Sequence, residues 1–239
     1  MRTLGLMGGM SWESTAVYYR LLNQGVARRL GGLHSAALLL HSVDFAPVAA
    51  LQAAGDWERA AQTLAAAASG LRRAGAQALV LATNTMHKVA DRIEAESGLP
   101  LLHIADATGA ALQAAGVQHA ALLGTRFTME DPGIVRTRLA QRFGLQVNVP
   151  GDEDRALMHR VIYEELCRGV VSAASRIAVV AIIERQRVRG ARAVVLGCTE
   201  IGLLIDADCS PLPVFDSTAL HAAAAVDWML ADTNPGASS

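Results

Sequence analysis

The chain carries the same pattern twice. Arg73-Ala74-Gly75-Ala76-Gln77-Ala78-Leu79-Val80-Leu81-Ala82-Thr83 aligns with Arg189-Gly190-Ala191-Arg192-Ala193-Val194-Val195-Leu196-Gly197-Cys198 once a one-residue gap is allowed. Thr83 then matches Cys198, 115 residues further on. Leu6-Met7-Gly8 matches Leu122-Leu123-Gly124 at an offset of 116, and Leu99-Pro100 matches Leu212-Pro213 at 113. Three landmarks with nearly one offset mean that what the first half folds into, the second half folds into again. Equivalent positions in the two halves should therefore occupy equivalent places.

Within each copy, short apolar runs alternate with longer helix-period segments. Leu4–Met7, Ala36–Leu40, Ala78–Leu81, Leu101–Ile104, Ala120–Leu123, Gln146–Val149, Ala193–Leu196 and Val214–Phe215 read as buried strands. Ser14–Leu30, Asp56–Ala74, Lys88–Ser97, Ile134–Phe143 and Ala156–Gln186 read as helices. Strand–helix alternation predicts an α/β fold of two pseudo-symmetric domains with parallel-type sheets. Residues 1–104 plus a C-terminal helix from about Ser217 (217–239) would form the first domain, and 105–216 the second. A chain of 239 residues, 52% hydrophobic, can bury a core in each. Ligands of such sheets bind beyond the C-terminal strand ends, so the active site is expected in the cleft between the domains, with Thr83 and Cys198 on opposite walls. Helices expected to start after Thr83 and after Cys198 would offer free N–H groups to a carboxylate. A helix end also lowers a cysteine pKa, and burial in apolar surroundings opposes that.

Several function classes are poor fits. The formal net charge of −1 gives no basic footprint for nucleic acid and no patch for anionic membrane. No apolar run is long enough to span a bilayer, and Met1–Met10 does not read as a signal peptide. Three cysteines without a CxxC pair suit a reducing cytosol, which makes a cytoplasmic protein the expectation. The seven histidines form no HxH, HExxH or Cys/His cluster, so no metal site is expected. The only lysine is Lys88, so a pyridoxal-phosphate imine could form there or nowhere.

Four segments resemble the aspartate/glutamate racemase family: Gly5-Leu6-Met7-Gly8-Gly9-Met10-Ser11-Trp12-Glu13-Ser14-Thr15, Leu123-Gly124-Thr125-Arg126-Phe127-Thr128-Met129, Thr83-Asn84-Thr85-Met86-His87 and Leu196-Gly197-Cys198-Thr199-Glu200-Ile201. The resemblance covers almost the whole chain and stops at about Asp232. It implies an isomerase that binds a small amino-acid substrate, uses no cofactor and forms a homodimer. It also implies an acid/base pair, one residue on each face of the substrate α-carbon. Most of the family uses two cysteines; here the pair would be Thr83 and Cys198. The resemblance gives Met10, Ser11, Asn84, Thr85, Thr125, Thr128 and Thr199 as substrate contacts, and Glu200 as a residue that orients Cys198 or binds the ammonium group. Each threonine can alternatively be a helix cap. His87 and Lys88 read as exposed polar residues, Asp44 as a loop cap or a substrate contact, and Cys167 and Cys209 as inert.

The expected reaction interconverts L- and D-aspartate or glutamate by α-proton transfer. A thiolate is a reasonable base, whereas a threonine hydroxyl donates readily but needs help to accept. The family's basic residue after a Glu-Leu-x-x-Gly stretch is absent: Glu165-Leu166-Cys167-Arg168-Gly169 is followed by Val170 and Val171. The competing readings are a decarboxylase or isomerase of the same superfamily using Cys198 alone, and a non-catalytic amino-acid binding protein.

Overall fold

Residues 1–231 are described in the computed structural model. They form two compact units, Met1–His103 with the chain from His221 onward, and Ile104–Leu220.

The first unit opens with β1 (Leu4–Gly8), α1 (Trp12–Leu30) and β2 (Leu38–Ser42). It continues through α2 (Phe45–Ala54), α3 (Trp57–Arg73), β3 (Ala78–Leu81), a 3-10 turn at Thr85–Val89 and α4 (Ala90–Ser97). The strands pair in parallel in the order β2-β1-β3, and Leu79 makes one further parallel bridge to Leu101. All five β1 residues and all four β3 residues are buried, which is why these strands read as continuous apolar runs rather than alternating ones. One face of the sheet buries Met7, Leu79 and Leu81 against Leu64, Ala68 and Leu71 of α3. The other buries Leu4, Leu6 and Val80 against Leu22 and Val26 of α1 and against Val226 and Met229 of α10 (Ser217–Leu230).

The second unit repeats this plan. It runs α5 (Ile104–Ala114), β4 (His119–Gly124), α6 (Arg126–Glu130), α7 (Arg136–Phe143), β5 (Gln146–Asn148) and α8 (Asp152–Arg160). Then come a π-helical turn at Val161–Glu165, 3-10 turns at Leu166–Arg168 and Thr199–Leu203, α9 (Ala173–Val188), β6 (Ala193–Gly197) and β7 (Val214–Asp216). The parallel sheet has the order β5-β4-β6-β7. Matching β1 with β4, β2 with β5 and β3 with β6 makes the two sheets the same, with Leu101 standing where β7 stands.

The repeat extends to individual hydrogen bonds. Leu79 N–H donates to Pro100 O, and Val194 N–H to Pro213 O, each at 2.9 Å. Gln77 N–H donates to Thr3 O, and Arg192 N–H to His119 O, again at 2.9 Å. The Arg-Gly turns before β3 and β6 close alike, with Gly75 N–H on Arg72 O and Gly190 N–H on Arg187 O. Both glycines have positive φ, 105° and 96°, a backbone region that L side chains rarely adopt.

Four expectations need correction. Ala156–Gln186 is not one helix: it breaks into α8, the π and 3-10 turns and α9, because Gly169 adopts φ 74° and Ser172 caps α9 by accepting from Ser175 N–H at 3.4 Å. The segments after Thr83 and Cys198 are five-residue 3-10 turns rather than α-helices. Leu101–Ile104 contributes a single bridge, since α5 begins at Ile104. The strand expected at Ala36–Leu40 lies at Leu38–Ser42, where it registers with Leu4–Gly8. Three helices, α2, α5 and α6, were not expected from the sequence. The chain beyond about Asp232, where the resemblance was expected to end, lies outside the described residues.

Candidate functional site

In the first unit the strand β1 ends at Gly8 and leads into Gly9, Met10 and Ser11. Gly9 has φ 90°, and a Cβ on it would lie 2.1 Å from Val43 O, so only glycine fits there. Its N–H donates to Thr15 Oγ1 at 2.8 Å, and that hydroxyl donates to Ser11 O at 2.9 Å. Ser11 caps α1 by accepting from Ser14 N–H at 3.3 Å. Met10 and Ser11 are both buried. The peptide bond between them is cis.

Thr83 follows β3, whose pairing extends one step further through Ala82 N–H on Met7 O at 2.9 Å. Thr83, Asn84 and Thr85 are buried at the start of the 3-10 turn. His87 folds back one turn, and its Nδ1 donates to Thr83 O at 2.8 Å. It is 3% exposed, against the expectation of a surface residue. The tight turn carries its ring inward onto two other imidazoles, His103 at 4.5 Å and His221 at 5.6 Å between ring centres. His221 Nε2 donates to Leu102 O at 2.7 Å, which leaves Nδ1 to accept from the Tyr18 hydroxyl at 2.9 Å. The carbonyl partners thus assign the tautomers of His87 and His221. Burial keeps both rings neutral. It pushes His87 well below the usual histidine range, with His103 and His221 adding to the effect, and holds His221 at about 4. Lys88, next in sequence, is exposed as expected and sets its Nζ over the Trp57 ring at 4.3 Å. Asp44 is the cap of α2, accepting from Ala46 N–H at 3.2 Å.

The second unit builds the matching corner. Thr125 follows β4 and caps α6 by accepting from Thr128 N–H at 3.3 Å, the same cap as Ser11 with Ser14. The Thr125 and Thr128 hydroxyls meet at 3.2 Å. Thr128 is fully buried over the ends of β4 and β6. Gly124 and Gly197 pair there, and a Cβ on either would approach backbone oxygen at 2.9 Å. Cys198 follows directly, 9% exposed, with extended backbone. Its Sγ donates to Glu200 Oε2 at 3.0 Å, and Cys167 Sγ donates to Glu200 Oε1 at 3.8 Å. Thr199 accepts from the Thr218 hydroxyl at 3.2 Å.

Cys198 does not have the lowered pKa that a helix end would give. Burial pushes its thiol well above the ordinary range, and the charge of Glu200 and its hydrogen bond push in the same direction. The short 3-10 turn supplies too small a dipole to win. Cys167, expected to be inert, belongs to this corner, its thiol raised to about 12 by burial and Glu200. Tyr163 in the π-helical turn is also raised to about 12, by burial and then by Cys198, Cys167 and Glu200. The sequence offered one signal for this cluster, the Gly169–Ser172 break that separates Tyr163 and Cys167 from α9. Cys209 lies in a loop capped by Asp206, whose Oδ1 accepts from Cys209 N–H at 3.0 Å. No group of three or more His, Cys, Asp or Glu among the described residues could hold a metal, and no described helix is long and apolar enough to cross a membrane.

Comparison with known proteins matches the fold over nearly the whole chain. A Yersinia pestis protein provisionally assigned as an Asp/Glu racemase is 53% identical, with 96% of this chain and 100% of that one covered at a TM-score of 0.90. An aspartate racemase homologue from Pyrococcus horikoshii is 32% identical, with 96% and 99% covered and a TM-score of 0.81. Picrophilus torridus aspartate racemase, at 20% identity, shares the fold over 95% of this chain and 94% of its own, TM-score 0.74. Residues 7–225 match the Asp/Glu/hydantoin racemase family. The chain belongs to that family and is an isomerase of the racemase type.

Proposed function

We propose that the protein interconverts the L and D forms of aspartate and glutamate by two-base α-proton transfer, without pyridoxal phosphate, with Thr83 and Cys198 as the unequal pair. The observation that carries this reading is the equivalence of the two strand ends: Thr83 follows β3 and Cys198 follows β6 in sheets of the same order. Asn84, Thr85, Thr125 and Thr199 would hold the α-carboxylate and ammonium groups.

The α-proton is a weak acid, so the site must stabilise the developing carbanion with fixed dipoles. When Cys198 acts as base, its thiol first gives its proton to solvent water: the S–H bond breaks and its electron pair stays on sulfur. The thiolate then takes the α-proton, and the electron pair stays on the substrate. Thr83 donates its hydroxyl proton to the opposite face, and its oxygen recovers a proton from solvent, matching the one Cys198 released, so that both residues end as they began. In the reverse direction Cys198 donates and Thr83 accepts, which is the harder assignment for a hydroxyl.

The test is α-proton exchange in D2O, followed by NMR, for both enantiomers of aspartate and glutamate with wild type and Cys198→Ala. Exchange that is lost in Cys198→Ala supports the reading. Absence of exchange with all four compounds in wild type sinks the dicarboxylate assignment.

A further inference from the structure

One carboxylate in the second unit serves two thiols. Glu200 is 5% exposed, with Oε2 accepting from Cys198 Sγ at 3.0 Å and Oε1 from Cys167 Sγ at 3.8 Å. Cys198 stands at the end of β6, Glu200 in the turn that follows it, and Cys167 in the 3-10 turn Leu166–Arg168. The two thiols thus reach the carboxylate from separate elements. We infer that Cys167 is a positioning residue for Cys198, acting through Glu200: its thiol holds one carboxylate oxygen so that the other is set against the Cys198 sulfur. This rests on the racemase reading for the identity of the reacting sulfur, but the coupling itself is a property of the three side chains.

The consequence is electrostatic. A thiol that donates to Oε1 draws negative charge away from Oε2, and so reduces the repulsion that a Cys198 thiolate feels. Cys167 can do this across the working pH range because it stays protonated, its own thiol being raised to about 12. The titratable groups that face this pair are Glu200, Cys167 and the Tyr163 hydroxyl from the π-helical turn. Around them are apolar side chains: Leu166, Leu196, Ile201 and Leu204 belong to the same core as Cys198. Without the Cys167 donor, more of the Glu200 charge should fall on Oε2 and hold the Cys198 proton more tightly. A serine at position 167 keeps a donor and should restore most of the effect.

The experiment is the pH dependence of Cys198 alkylation by iodoacetamide, resolved from Cys167 and Cys209 by mass spectrometry of the peptides. Wild type, Cys167→Ala and Cys167→Ser are compared, with kcat/KM against pH measured on the same samples. In Cys167→Ala the Cys198 curve should move to higher pH, with alkylation at pH 8 slower by roughly threefold to tenfold, the range expected for loss of a hydrogen bond to a charged group. Cys167→Ser should lie near wild type. Coincident curves for wild type and Cys167→Ala overturn the inference, and so does an equal shift in both variants, which would mean that packing rather than donation sets the thiol. Alkylation needs no turnover. A shifted curve in a protein that racemises nothing would therefore keep the coupling and reject the racemase reading, while unchanged curves in an active racemase would do the reverse.

Discussion

The imidazole of His87 donates from Nδ1 to the carbonyl oxygen of Thr83 at 2.8 Å, so the residue four positions on holds the backbone of the proposed hydroxyl acid. The ring is buried among His103 and His221 and cannot be replaced by water without a cavity. His87→Ala should cost about 2 kcal/mol, from lost packing and a carbonyl left short of a donor. It should lower kcat by more than the fraction unfolded explains, because a displacement of Thr83 affects the proton path directly. Thermal melts and steady-state kinetics on the same samples check both parts. A variant that is less stable but keeps full kcat would show that His87 serves the core alone.

His221 makes stability depend on pH in one direction. Its folded-state pKa is held at about 4, below the ordinary 6.5, by burial, although Leu102 O favours the charged ring. A group depressed in this way contributes fully above the unfolded value and loses its contribution as pH falls towards the folded one. Stability should therefore fall between pH 6.5 and 4, by ~3 kcal/mol from this residue alone. His87, pushed down in the same direction, adds to the loss. Urea denaturation at pH 7.5, 6, 5 and 4.5 measures the trend, and His221→Gln should flatten it.

How much of this was legible in the sequence depends on how local the cause is. The strand β3 reads correctly to the residue because a buried parallel strand is a plain apolar run, and Arg73-Ala74-Gly75 marks the turn before it. The repeat was legible for the same reason, and it placed Thr83 and Cys198 at matching strand ends. The burial of His87 was not, since it depends on imidazoles supplied from His103 and His221. Neither was Cys167, which meets Glu200 across 33 residues, after a π-helical turn that shifts the helical period and so misdirects any reading of which face it occupies. Cys198 shows a competition that the sequence named and left open. The helix-end dipole was expected and proved to be a short 3-10 turn, while the burial that outweighs it comes from residues distributed over the whole second unit.

Gly197 sets how closely β4 and β6 approach beneath Cys198. A Cβ there would sit 2.7 Å from Leu122 Cδ1 and 2.9 Å from Leu123 O, and the second of these is backbone that cannot rotate away. Gly197→Ala should force the strand ends apart, costing roughly 1–3 kcal/mol. The residue displaced most directly is the next one, Cys198, so activity should fall at least tenfold even at temperatures where the variant is fully folded. A melting curve and kcat measured well below its midpoint separate the two effects; a folded Gly197→Ala variant with wild-type kcat would show that the corner tolerates the shift.

Thr83→Ala should uncouple exchange from inversion. The equilibrium constant between enantiomers is one, so in wild type kcat/KM must be equal for L and D substrates at every pH, and an unequal pair cannot show itself there. It can show itself in exchange without inversion. With Thr83→Ala, Cys198 can still remove the α-proton of the enantiomer that presents it, and solvent deuterium then returns to the same face. That enantiomer should keep exchanging while inversion falls by ~10²-fold or more, the usual contribution of a general acid. The surviving exchange should rise with pH through the neutral range, since the Cys198 thiol is held well above its ordinary value and the thiolate fraction grows as pH approaches it. Cys198→Ala should lose exchange and inversion together. Deuterium content by NMR, combined with chiral separation of substrate and product, reads both quantities from one sample. Equal loss of exchange for the two enantiomers in Thr83→Ala would mean that the hydroxyl positions the substrate rather than serving one face of it.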